Sequence, residues 1–194
     1  MAFGPRTRHE GDPARVALVV PGVGYSPAMP LLFWTGRTLN LRGWTVQELW
    51  WYDRTPPREG DWPAWVRAAV TESLDHETRA REFVLIGKSL GSLAIPVAVE
   101  RQIPGIWLTP LLNQDVVRAA VTGLPAPTLL VGGTSDPTWD GQVARTSGHQ
   151  VCEIEGGDHG LEVPAGPVAS VLAFADVVRA TEDFADQLTR SVGT

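Results

Sequence analysis

Six times along the chain a short apolar run is followed by a stretch with helical spacing, and the central runs are apolar at every position. A strand with one wet face alternates apolar and polar residues, whereas a strand buried on both faces has no reason to. The runs are "RVALVV" (15–20), "TVQELWW" (45–51), "EFVLIG" (82–87), "GIWLTPLL" (105–112), "PTLLVGG" (127–133) and "QVCEIEG" (150–156). Between and after them, helical patterns cover 27–42, 63–80, 89–101, 113–123, 138–147 and 165–190. This alternation predicts an α/β fold: a mostly parallel six-stranded sheet with helices on both faces. With 194 residues, 43% of them hydrophobic, the chain can bury most of its apolar surface in one domain, expected over 15–194. Residues 1–14 are polar, with Gly and Pro, and are expected to form a flexible tail.

In such sheets ligands bind at the carboxyl ends of the strands, so chemistry is sought in the residues that follow each strand. After the third run stands Gly87-Lys88-Ser89-Leu90-Gly91, which superimposes two motifs. A phosphate loop needs a glycine five residues before Gly87, followed by a flexible turn; the chain has Glu82 there, then "FVLI" inside a strand. The second glycine cluster, "GVGYSP" (22–27), lacks the third glycine of a dinucleotide fingerprint. What remains is G-x-S-x-G between a buried strand and a helix, the setting of a nucleophile elbow. There the flanking glycines permit close backbone approach, and Ser89 stands above the sheet at a helix N-terminus that favours developing negative charge.

A serine hydroxyl needs a base. Of the four histidines, His9 lies in the tail, His76 in a helix before the serine and His149 at the start of the sixth run. Only His159, in "EGGDHGLE", follows a strand end. The orienting acid should also follow a strand. Asp136 in "VGGTSDPTWD" is preferred to Asp140, placed within the next helix, and to Asp115 after the fourth strand. Asp158 adjoins His159 in sequence, a poor geometry for facing it.

The chain resembles the α/β-hydrolase superfamily over about residues 15–190, through "GKSLG", "LLVGGTSDP" and "GGDHG" in the order Ser, Asp, His. The segment after the first strand, "VVPGVGYSPAMPLL", is similar to the first strand-loop-helix of small members, with Pro21-Gly22 where His-Gly is common. The resemblance implies an oxyanion hole made by the backbone amides of Val23 and Leu90, with Gly24 or Tyr25 as alternative donors in the first loop. It also implies that the usual edge hairpin is missing and that no cap covers the site, since only "TPLLNQD" follows the fourth strand. Tyr25 and Trp139, in carboxyl-end loops, are expected to line a pocket, while Trp50, Trp51, Tyr52 and Trp107 are read as core packing. Lys88 is read as a bystander at the cleft rim, solvated or hydrogen-bonded; the alternative is that it attracts an anionic substrate.

The function expected is a serine hydrolase that cleaves a small ester or thioester through Ser89, His159 and Asp136. The alternatives are an acyltransferase with the same triad and a catalytically silent binding module on the same fold. No metal-ligand spacing such as H-x-x-x-H or C-x-x-C occurs, and no cofactor is implied. A net charge of −6 argues against a nucleic-acid partner. Cys152 is the single cysteine, read as a small buried hydrophobe, so no intrachain disulfide can form. The N-terminal residues lack the apolar centre of a secretion signal, and no run approaches the ~20 residues of a membrane span, so a cytoplasmic protein is expected.

Overall fold

The computed structural model describes residues 7–51, 57, 61–125 and 127–191. The first six residues of the expected tail lie outside the described residues, as do 52–56 (Tyr52 included) and 58–60 of the Pro-rich loop. Seven strands form one sheet: β1 (Arg8–His9), β2 (Asp12–Val20), β3 (Trp44–Glu48), β4 (Glu82–Lys88), β5 (Gly105–Leu108), β6 (Thr128–Gly133) and β7 (Gln150–Ile154). The helices are α1 (Pro30–Leu41), α2 (Trp62–His76), α3 (Ile95–Arg101), α4 (Asp115–Val121), α5 (Gly141–Thr146) and α6 (Pro167–Ser191). The strand order is β1-β3-β2-β4-β5-β6-β7, and all neighbours pair in parallel except β1 against β3.

The parallel sheet is as expected, but the count is seven, not six, because part of the expected tail joins it. Arg8 and His9 pair with Gln47 and Val46, and β2 begins at Asp12 rather than 15. The sheet edge is thus closed by a single two-residue antiparallel strand, and among the described residues no hairpin forms there. Gly11 permits the crossing: a Cβ there would lie 2.5 Å from the Trp44 carbonyl. The Arg8 guanidinium is tied to Glu77. Backbone pairing and ion pairs leave no apolar run, so hydrophobic patterning missed this strand.

Strand residues divide strictly between two cores. Leu18, Val20, Leu85, Trp107 and Leu130 pack with Val66, Val70, Ile95 and Val117 on one face. Their neighbours Ala17, Val19, Val84, Ile86, Ile106 and Val131 pack with Leu31, Leu39, Val177 and Phe184 on the other. Each fully buried Val, Leu or Ile contributes about 1.5–3 kcal/mol, so unbroken apolar strands are what a two-sided core demands.

Local signals set the ends of the elements. Asp61 caps α2 by accepting from Ala64 N at 3.0 Å. Gly43 ends α1 with φ +87°. The expected fourth strand stops at Leu108 because Thr109 turns to φ +41°. The helix expected over 89–101 opens as a 3-10 helix at Ser89–Ala94 and becomes α3 at Ile95. Pro96 has no N–H with which to continue an α ladder back to Ser92. Among the described residues, no helix is long and apolar enough to cross a membrane.

Candidate active site

The turn at the end of β4 is fixed by sterics. A Cβ on Gly87 would lie 2.6 Å from the Trp107 ring and 2.9 Å from the Gly91 carbonyl oxygen. One on Gly91 would lie 2.1 Å from the carbonyl oxygen of Val20 in the neighbouring strand. Neither site admits a side chain without moving backbone. Between them Ser89 has φ +52°, a left-handed conformation that costs about 1–2 kcal/mol for a residue with a Cβ. Ser92 braces the turn by donating to the Ser89 carbonyl at 2.7 Å, and its oxygen accepts from Leu111 N at 3.0 Å.

The β7 exit loop brings His159 to this turn. Its Nε2 lies 2.8 Å from Ser89 Oγ, and its Nδ1 lies 2.8 Å from Asp136 Oδ2. With Nδ1 protonated, the imidazole donates to Asp136 and accepts from Ser89. Asp158 shapes the loop by accepting from Gly160 N at 2.7 Å and Glu162 N at 3.0 Å. Leu161, two residues past His159, anchors it in the core.

Asp136 follows β6 and is 4% exposed. Burial pushes its carboxyl up, but hydrogen bonds from His159 and from the N–H and hydroxyl of Thr138 outweigh it and hold the group below its ordinary value. Thr138 N and Oγ1 each donate to Oδ1 at 2.8 Å, leaving Oδ2 for the imidazole. Thr138 escaped the sequence reading, although an aspartate accepting from the N–H two residues on is a recognisable turn, and "DPT" carries its signature.

The rival acids are occupied elsewhere. Asp140 caps α5 through Val143 N at 3.0 Å and pairs with Arg118 at 3.1 Å, so it stands at the helix start rather than within it. Asp115 opens α4. The other histidines are also engaged elsewhere: His9 with Glu48, His76 with the Glu72 carbonyl and His149 with that of Val121.

Three sequence expectations need correction. Lys88 is not at a rim: it is 2% exposed, donates to the His159 carbonyl oxygen at 3.0 Å and lies 4.7 Å over the Tyr25 ring. Burial lowers its pKa to about 8, against the pull of Asp136 and Asp158. Trp139 is not a pocket wall, because its ring covers Gly132 and its Nε1 donates to Glu153 at 2.7 Å. Trp50, read as core, instead lines a cleft of about 370 Å³ with Pro21, Gly22, Gly24, Tyr25, Ser26, Pro27 and Met29, while Trp51 packs against the core as expected and also borders that cleft.

Tyr25 and Gly24 do line that cleft. Gly22 and Tyr25 bridge across a tight turn in which Gly24 has φ +63° and Val23 is 70% exposed. A Cβ on Gly22 would lie 3.2 Å from that of Ser89, so this turn abuts the serine. Leu90 lies in the first turn of the 3-10 helix, where amides have no acceptor within the helix. Among the described residues no three His, Cys, Asp or Glu side chains cluster as a metal site. Burial raises the Cys152 thiol to about 11, as befits an inert side chain.

Sheet order and the serine turn at its carboxyl edge together define the α/β-hydrolase fold, with no cap domain between the strands among the described residues. Est1E from Butyrivibrio proteoclasticus, solved with ferulic acid bound, superposes with a TM-score of 0.70 at 13% identity, covering 91% of this chain and 92% of that one. XC6422 from Xanthomonas campestris, described as a serine hydrolase without lid, gives 0.69 at 16% identity, with 95% and 85% covered. A serine hydrolase homologue from Coxiella burnetii gives 0.66 at 13% identity, with 88% and 86% covered. At these identities the likeness is one of fold. No protein-family model matches the sequence, nor does any curated protein.

Proposed function

We propose that this protein is a serine hydrolase that cleaves a small ester or thioester through an acyl-enzyme. One observation carries the reading: the unbroken hydrogen-bond chain Ser89–His159–Asp136, at 2.8 Å per step, on a turn strained to φ +52°. Ser89 Oγ attacks the carbonyl carbon while His159 Nε2 takes its proton. Asp136 holds the imidazole in the tautomer that leaves Nε2 free and stabilises the imidazolium as it forms. The tetrahedral oxyanion is held by the amides of Val23 and Leu90, and losing one such donor typically costs about 10²–10³-fold in rate. On collapse, Nε2 returns its proton to the leaving oxygen or sulfur. Water, deprotonated by the same nitrogen, then releases the acid.

The cleft lined by the turn that abuts Ser89 adds a restriction. Its described lining has no charged side chain and is walled by Tyr25, Met29, Trp50 and Trp51. The substrate group seated there is therefore uncharged and largely apolar. Lys88, buried behind Tyr25, cannot meet an anionic substrate.

A fluorophosphonate probe and p-nitrophenyl acetate test the reading. Labelling of the folded protein and turnover should both disappear in Ser89→Ala and His159→Gln. Absence of labelling in the wild type, or turnover that survives Ser89→Ala, would sink it.

A further inference from the structure

Lys88 is a buried charge that the mechanism above leaves without a task. Among the described residues no carboxylate comes within ion-pair distance of its ammonium, so the burial is not repaid by a salt bridge. An unpaired buried cation is costly, and a well-packed apolar residue of the same volume commonly serves stability better. Stability alone therefore does not account for a lysine here.

Its contacts lie on the two loops that flank Ser89. The ammonium donates to the backbone carbonyl of His159 itself. It also sits over the ring of Tyr25, whose hydroxyl accepts from Leu31 N at 3.1 Å and so fixes that ring to the start of α1. Tyr25 is bridged to Gly22 across the turn that presents Val23. The lysine stem runs beside Gly22, its Cδ 3.4 Å from where a Cβ would stand there. An apolar side chain could fill the stem's volume but could neither donate to a carbonyl nor attract a ring face.

We propose that Lys88 is a positioning residue, whose ammonium ties the loop carrying the base to the turn carrying an oxyanion-hole amide, so that both are held relative to Ser89. The inference rests on the hydrolase reading. Lys88 touches neither substrate nor reacting atoms; it acts through the backbone of His159 and the ring of Tyr25. Without it, His159 and the Val23 turn lose the polar tie that the ammonium makes between them.

The test is Lys88→Met in the full chain, with four readouts. The rate of fluorophosphonate labelling and the kcat for p-nitrophenyl acetate should fall by about 10–100-fold, the size expected when a reacting group is misplaced by about an ångström. KM should stay within about threefold, since ground-state binding is untouched. The thermal midpoint should not fall. The downfield proton resonance of the imidazole Nδ1–H, assigned by its absence in His159→Gln, should broaden in Lys88→Met relative to wild type. Rates within about twofold of wild type would overturn the proposal, as would a loss carried by KM. A lowered midpoint or a variant that does not fold would also overturn it, by making Lys88 structural. If Ser89 fails to label in the wild type, the hydrolase reading falls on its own, and the imidazole signal still reports on Lys88.

Discussion

Replacing Lys88 by methionine should make the protein more stable near neutrality, and the gain should vanish as pH rises. Burial lowers the lysine from 10.5 to about 8. At about 1.4 kcal/mol for each tenfold change in proton affinity, the charged form costs the folded state about 3 kcal/mol. Methionine removes that cost but forfeits the hydrogen bond to His159, worth about 1 kcal/mol. The net gain near pH 7 is then about 2 kcal/mol, or about 5 °C in midpoint for a chain of this length. The sign with pH follows from proton counting. Below pH about 8 the lysine is charged in both states and the penalty is complete. Between there and 10.5, folded Lys88 sheds its proton first, so the unfolded chain binds more protons and wild-type stability rises with pH. The methionine variant lacks this rise, so its advantage should shrink and reverse by about pH 10. Tyr25 and Cys152, both raised by burial, titrate in the opposite sense near the top of this range, in wild type and variant alike. The quantity to measure is therefore the difference between the two proteins, from urea unfolding at pH 7 through 10. The charged groups around Lys88 are Asp136 and Asp158, and both are present in wild type and variant, so their contributions cancel in the difference. A variant less stable than wild type at pH 7, or a gap that does not change with pH, would refute the reasoning.

Thr138→Val keeps the N–H that Asp136 accepts and removes the hydroxyl. It should cost about 1.5 kcal/mol at pH 7, a typical value for a hydrogen bond to a charged group. The Asp136 carboxyl is held low, so its hydrogen-bonding stabilisation is present above the ordinary carboxylate range and lost as pH falls through the folded value. Unfolding at pH 7 and in acid should accordingly show the Thr138→Val deficit shrinking as the carboxyl protonates. A deficit of constant size would place the hydroxyl's effect elsewhere. At Ser89, where φ is +52°, Gly and Ala both remove the nucleophile but differ in tolerance of that backbone. Ser89→Gly should be more stable than Ser89→Ala by about 1 kcal/mol in urea unfolding; equal stabilities would mean the turn is not strained.

How far the chain could be read in advance depended on the kind of signal. The central strands announce themselves because burial on two faces forces every residue to be apolar, as in "VLI" at 84–86. That Ser89, Asp136 and His159 meet could be anticipated because each follows a strand end, sharply marked for β4 and β6 and less so for β7, which carries Gln150 and Glu153. The edge strand Arg8–His9 was not, because it is held by backbone pairing and the Arg8–Glu77 ion pair, which have no period. Lys88 was misread for a related reason. Alternation along β4 indicates that position 88 points into the protein, but a charge suggests exposure, and the acceptor that resolves the conflict lies 71 residues away in a different loop. Trp139 and Trp50 exchanged roles. Gly132 provides a flat bed for the first, while the turn at Gly22–Tyr25 leaves open space beside the second. Neither arrangement follows from local sequence.

The costs in this molecule are concentrated at one edge of the sheet. Ser89 holds a backbone conformation that a Cβ disfavours, Asp136 is a buried carboxylate, and Lys88 is a buried ammonium with no ion-pair partner among the described residues. Each breaks a rule that most of the chain obeys, and all three lie within a short reach of His159. A sheet packed on both faces can bear such costs because its strands cannot shift to relieve them: the Gly87 and Gly91 approaches leave the serine turn nowhere to go. Strain in a loose loop would relax. Here it is held, and under the proposed hydrolase reading it marks where chemistry is favoured over stability. On that reading Lys88 belongs with Ser89, His159 and Asp136 rather than with the core it is buried in, since it exacts the same kind of cost at the same place.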